Sequence, residues 1–140
     1  MRNLVNWVNP LIEMGTFHIR CDIENPVRRS KRAAIRAVLV DTGSEYSWIP
    51  ARILERLGIA REKKDVRFVM ANGQEISRSV GFAILRVDPF FTIDEVVFGE
   101  PGDLALLGAR TLEGLNVRVD SRLKKLVAAG PVPAADIRRK

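Results

Sequence analysis

The chain has 140 residues, 46% of them hydrophobic and 29% charged, with 23 lysines and arginines against 17 acids for a formal net charge of +6. Such a chain fits one globular domain that buries roughly 68% of its unfolded surface without disulfide or metal staples. The absence of any apolar run of about 18 residues excludes a membrane-spanning helix, and Asn and Pro within the first ten residues argue against an export signal.

Cys21 and His18 are the only residues of their types. Together they supply too few ligands for a structural zinc and a poor basis for a Cys–His nucleophile pair. No cofactor or metal is expected, and a lone cysteine fits a reducing, cytoplasmic compartment. The positive charge gathers at Arg28-Arg29-Ser30-Lys31-Arg32, Arg61-Glu62-Lys63-Lys64 and Arg138-Arg139-Lys140. No zinc-finger spacing or aromatic RNA-stacking signature accompanies these runs, so they read as solvated loops and a tail rather than a nucleic-acid surface.

In chain order the elements are mostly strands. Thr16–Ile23 alternates apolar and polar residues, the signature of a strand with one buried face. Asn25-Pro26 ends it. Ala33–Val40 is a second strand, and its continuously apolar end, Ala37-Val38-Leu39-Val40, predicts burial on both faces. Asp41-Thr42-Gly43-Ser44 breaks it with turn residues. Pro50 opens a short helix over Ala51–Leu57, with Gly58 at its end. Val66–Met70 and Glu75–Val80 flank Ala71-Asn72-Gly73-Gln74, where Asn-Gly between apolar strands predicts a tight hairpin. Gly81 is placed for a bulge or bend before Phe82–Val87. After Asp88-Pro89, a strand over Phe90–Phe98 leads to a loop at Gly99–Asp103. A short strand over Leu104–Leu107 ends at Gly108. A helix at Thr111–Leu115, a strand over Asn116–Asp120 and another within Leu123–Ala128 complete the pattern. Gly130-Pro131-Val132-Pro133 cannot continue a central strand.

Chemistry points to Asp41-Thr42-Gly43. The tripeptide alone arises by chance in about one chain of this length in forty, given residue abundances of roughly 5–7%. Its position after a buried strand is more telling, since it delivers a carboxylate from the interior to a turn. An Asp at a strand end can simply cap its own turn; the functional alternative is a carboxylate at the floor of a cleft. Hydrolysis of a peptide bond through an activated water needs one group to accept a proton and another to donate one. Two carboxylates in contact share a single proton. The chain has one such motif and no internal repeat, so a two-fold homodimer would have to supply the second Asp41.

The run Ala37–Ser44, followed after the hairpin by Leu106-Leu107-Gly108 and a short helix, resembles the retropepsin-like aspartic proteases, especially their small single-domain bacterial and archaeal members. Similar patterns occur at Met14-Gly15, Trp48-Ile49-Pro50, Val97-Phe98-Gly99-Glu100 and Leu112-Glu113-Gly114-Leu115, so the resemblance spans about residues 14–127. It implies an all-β fold: a closed acid-protease barrel with one or two short helices, homodimeric, with one Asp per subunit.

By that resemblance Asp41 is the catalytic carboxylate. Thr42 would brace the two active-site loops across the axis, and Gly43 would admit substrate backbone. Ser44 would bond the outer oxygen of Asp41 or cap the turn. Glu45 falls where viral enzymes carry an acid near the substrate backbone. Tyr46 would lie at a pocket edge. Asn72, Gly73 and Gln74 would form the flap that closes over substrate. Trp48 and Ile49 read as core. Leu106-Leu107-Gly108 would pass behind the active-site loop. Ala109 stands where viral enzymes often carry an arginine that pairs with the nearby acid, and Arg110 lies one position later.

The expected organisation is an extension at 1–13, a retropepsin-like domain at 14–128 and a basic tail at 129–140. Trp7, Val8 and Leu11 of the extension would cover an edge or extend the dimer interface. The expected activity is aspartic endopeptidase on peptide or protein substrates, cleaving between hydrophobic residues. The alternative is a catalytically weak dimerisation or peptide-binding module of the same fold.

Overall fold

A computed structural model describes residues 16–134. The N-terminal extension, Met14-Gly15 and Arg138-Arg139-Lys140 lie outside the described residues. Among the described residues, nine strands and two short helices follow one another: β1 (Thr16–Glu24), β2 (Arg32–Asp41), β3 (Ser47–Pro50), α1 (Ala51–Arg56), β4 (Lys63–Val69), β5 (Glu75–Val87), β6 (Phe90–Gly99), β7 (Leu106–Leu107), α2 (Ala109–Leu115), β8 (Val117–Asp120) and β9 (Lys125–Ala128). Seven strands form one sheet in the order β1-β2-β7-β3-β6-β5-β4, and β8 and β9 form a separate hairpin.

Two features of this order position the site. The two-residue strand β7 inserts between β2 and β3, parallel to β2 (Leu39↔Leu106, Val40↔Leu107) and antiparallel to β3 (Trp48↔Leu106). It therefore lies beside both arms of the loop that carries Asp41. In addition, β1 pairs with β5 as well as β2, through Asp22↔Arg86, Ile23↔Leu85 and Glu24↔Ile84. The main core fills the space this creates with Ile23, Val38, Ile49, Leu54, Leu85, Val96, Phe98 and Leu107. A second cluster joins Phe17 and Val40 to Leu112, Leu115 and Val117, seating α2. A third, of Trp48, Val80 and Val97, lies beneath the base of the β4–β5 hairpin.

Several expectations are corrected by this packing. Ala37 is exposed and Leu39 half-buried, while Val38 and Val40 are buried; the apolar run is therefore only partly covered on its second face. Gly81 marks no bulge, for β5 keeps register with β6 from Val80 to Val87. It is a site of close approach instead. A Cβ there would stand 2.9 Å from Phe98 and closer still to the Ala60 carbonyl. Leu104 is not in a strand and is largely exposed. Asn116 does not open β8. It closes α2 in the left-handed conformation, at φ 56°. Pro50 ends β3 and caps α1 rather than entering the helix.

Carboxylates on the framework are tied to guanidinium and ammonium groups. Glu24, 1% exposed, receives Arg86 Nε at 2.7 Å and Arg29 Nε at 3.1 Å, with Arg32 Nη2 at 3.4 Å. Asp103 takes a two-point contact from Arg78, at 2.8 and 3.1 Å. Glu95 receives Lys63 at 2.5 Å and Arg110 at 3.1 Å. The hydrogen bond from Arg86 is the main cause holding Glu24 below its ordinary value of 4.5; those from Lys63 and Arg78 act likewise on Glu95 and Asp103. A carboxylate whose folded-state pKa is depressed stabilises the fold fully above its unfolded pKa, and that contribution disappears as pH falls through the lower folded value. Stability to urea is therefore expected to hold from pH 7 to about 5 and to fall steadily below about 4.5. Urea midpoints at pH 7, 5, 4 and 3 check this, and Glu24→Gln is expected to lower the neutral plateau and flatten the acid decline. A midpoint that rises between pH 5 and 3 would contradict it.

Candidate active site

Strand β2 delivers Asp41 to the start of a short loop, and the loop geometry fixes its carboxylate. Gly43 N–H donates to Asp41 Oδ1 at 2.9 Å, and Ser44 N–H donates to the Asp41 carbonyl at 3.2 Å. One carboxylate oxygen is thus pinned by the turn. The other makes no hydrogen bond among the described residues, and the side chain borders a cleft of about 660 Å³. The local turn and the floor-of-cleft placement coexist here.

The far wall of the cleft is the β4–β5 hairpin, through Phe68, Val69, Met70 and Ala71. Asn72, Gly73 and Gln74 form the tip itself. Gly73 N–H donates to Met70 O and Met70 N–H to Gln74 O, both at 2.8 Å, and the Asn72 side-chain oxygen accepts from Gln74 N–H at 2.9 Å. Gly73 takes φ 87°, where a side chain would be strained. These three residues do not line the cleft in the single chain; the residues just before them do. Val69 is 70% exposed and Leu104, which also lines the cleft, 67% exposed. Both apolar side chains therefore face solvent at the cleft mouth.

The near side carries Gly43, Ser44, Glu45, Tyr46 and Trp48. Tyr46 and Trp48 both pack on Phe68, with ring centroids 5.4 and 5.2 Å apart. This places aromatic contact between the floor and the root of the hairpin. Trp48 is buried, as a core residue would be, and yet borders the cleft. Ser44 donates its hydroxyl to the Tyr46 carbonyl at 2.9 Å, so it braces the turn rather than the outer oxygen of Asp41. Thr42 is exposed and lies outside the cleft lining, with no side-chain hydrogen bond among the described residues. Glu45 is exposed and in no ion pair among the described residues. Arg110 contacts it only through the backbone, N–H to O at 3.2 Å.

Behind the loop, Gly108 provides the close approach expected of it. A Cβ there would stand 2.7 Å from the Ser44 carbonyl and nearer still to that of Tyr46. Next to it, Ala109 N–H donates to Ser44 O at 2.7 Å. Sequence reasoning missed what anchors Gly108. Its N–H donates to Ser47 Oγ at 3.0 Å, Ser47 and Thr111 hydroxyls meet at 2.5 Å, and Thr111 Oγ1 donates to Asp94 Oδ2 at 2.9 Å. Because Thr111 spends its proton on the carboxylate, Ser47 donates to Thr111, and every link in the chain is satisfied. Ser47 and Thr111 are fully buried, where an unmade bond costs about 1–3 kcal/mol. The chain ties the turn behind the Asp41 loop to the middle of β6.

No cluster of three or more His, Cys, Asp or Glu side chains among the described residues is placed to hold a metal ion. Burial pushes the Cys21 thiol up to about 12, so it is not a nucleophile at neutral pH.

Residues 33–114 match the model of a protein family described as "gag-polyprotein putative aspartyl protease". The chain belongs to this retropepsin-like aspartyl protease family. A comparison with curated proteins finds no match. The family match takes in the Asp41 loop, the hairpin, β7 and almost all of α2, that is, every wall of the cleft and its support. No helix among the described residues is long and apolar enough to cross a membrane.

Proposed function

We propose that this chain is a homodimeric aspartic endopeptidase in which Asp41 and its symmetry mate activate water against a peptide bond. The observation that carries this is Asp41 itself. One oxygen is fixed by Gly43 N–H and the carboxyl group borders a 660 Å³ cleft, in a chain with a single Asp-Thr-Gly. Two such groups across a two-fold axis hold one proton between them. The ionised member takes a proton from water as it attacks the scissile carbonyl, and the protonated member gives one to the carbonyl oxygen. Thr42, exposed at the outer face of the loop, would brace its counterpart across the axis. Substrate would lie extended between the Asp41 floor and the β4–β5 hairpin as an added strand. Asn72, Gly73 and Gln74 would carry the hairpin tip over it to exclude water. The apolar wall from Trp48, Phe68, Met70 and Leu106 suits hydrophobic residues at the cut bond.

The double pairing of β1 supports a closed barrel, within a domain taken as 14–128 between an extension and a basic tail. The buried, unreactive Cys21 is consistent with a cytoplasmic protein.

A monomer holds half a site. Specific activity is expected to fall on dilution below the dimer dissociation constant, following mass action. Sedimentation measured beside activity over one concentration series tests this. A strictly monomeric protein with constant specific activity would overturn the proposal.

A further inference from the structure

We infer that the cleft selects peptides bearing a lysine or arginine beside the apolar residues at the cut bond, with Glu45 as the residue that reads the positive charge. This rests on the protease function proposed above.

The chain carries a net charge of +6, yet no lysine or arginine lines the cleft. The charged residues that do are Asp41, Glu45 and Asp103. Asp103 is already neutralised by the two-point contact with Arg78. Glu45 is not: it is exposed, borders the cleft beside the catalytic loop and has no cationic partner among the described residues. The cations that stand nearby are committed elsewhere. Arg110 bonds Glu95 Oε1 at 3.1 Å and lies 4.7 Å over the Tyr46 ring. Lys63 bonds the other oxygen of Glu95 at 2.5 Å. Both are thus paired with Glu95, and neither forms an ion pair with Glu45.

In the dimer the cleft would hold two Glu45 carboxylates and an Asp41 pair retaining a single proton. Its floor is thus negative inside a positively charged protein. A carboxylate at the cleft wall attracts a substrate cation, more strongly as bound peptide displaces water, and the attraction weakens as salt shortens the screening length from about 10 Å at 0.1 M to about 3 Å at 1 M. An acidic substrate residue at the same place meets the reverse effect, which is how a site rejects a competitor.

The test uses peptides identical except for Lys, Gln or Glu at one position two or three residues from the cut bond, competed in one reaction. The expected order of kcat/KM is Lys over Gln over Glu, with Lys at least tenfold above Glu in 0.05 M NaCl and the gap narrowing in 0.5 M. Glu45→Gln is expected to bring that ratio within twofold, and Glu45→Lys to invert it. Brisk hydrolysis with equal rates for all three peptides overturns the inference and leaves the protease function standing. So does a charge preference that survives Glu45→Gln. If Glu45→Gln instead loosens the dimer with the preference unchanged, Glu45 is an interface anchor and the inference also fails. If the wild type cleaves none of the peptides, the protease function fails, and binding of the same peptides to the protein by fluorescence anisotropy decides the selectivity. The same charge order in Kd supports it, and a flat order overturns it.

Discussion

Asp41→Asn is expected to lower peptide hydrolysis by at least about a thousandfold, a loss of ~4 kcal/mol of transition-state stabilisation, while the fold survives. The substitution keeps the shape of the side chain. Its carbonyl oxygen can still accept from Gly43 N–H, the 2.9 Å bond that fixes the turn. Asp41 enters no ion pair among the described residues, so neutralising it leaves no stranded partner. What disappears is the ability to take a proton from water. Initial rates on an apolar peptide, with circular dichroism and sedimentation as controls, check the result. Residual activity within tenfold of wild type, a loss of only ~1.4 kcal/mol, would remove Asp41 from the chemistry. Mixing is a stricter form of the same test. Excess Asp41→Asn protein added to wild type is expected to suppress activity further, because each heterodimer holds one competent carboxylate.

The Asp41 loop was legible in the sequence because its cues are local. An apolar strand running into Asp-Thr-Gly needs no tertiary information, and neither does the Asn72-Gly73 turn. The support beneath the loop was not legible. Ser47 bonds Thr111 across 64 residues of chain, and Thr111 then bonds Asp94. Taken singly, each is an ordinary polar residue, and only burial turns the three into a linked chain. Strand β3 was missed for a related reason. It is four residues long, and three of them are buried, so no alternation shows; its pairing comes from distant β6 and β7. The charge of the cleft was hidden as well. Arg110 follows Ala109, which stands where viral enzymes often carry an arginine, and the structure turns its guanidinium to Glu95 and the Tyr46 ring.

Gly108→Ala is expected to destabilise the protein by about 3 kcal/mol, lowering the melting temperature by on the order of 10 °C. The cause is space rather than backbone freedom, since Gly108 has φ −96° and ψ −179°, an extended conformation that any residue adopts. The added methyl group would meet the backbone carbonyls of Ser44 and Tyr46, the former at 2.7 Å, and neither can swing aside as a flexible side chain would. Relief requires the β7–α2 turn to withdraw from the Asp41 loop. Withdrawal stretches the 2.7 Å bond from Ala109 N–H to Ser44 O and the 3.0 Å bond from Gly108 N–H to Ser47 Oγ. The same movement displaces Asp41, so activity per folded molecule is expected to fall too, as catalysis tolerates misplacement of about 1 Å poorly. Gly73→Ala is the comparison. There φ is 87° and nothing lies within 4 Å of the added methyl, so only backbone strain of roughly 1–2 kcal/mol is expected. Thermal and urea unfolding of the two variants side by side set packing against strain. If Gly108→Ala costs no more than Gly73→Ala, the contact behind the loop does not hold Asp41 in place.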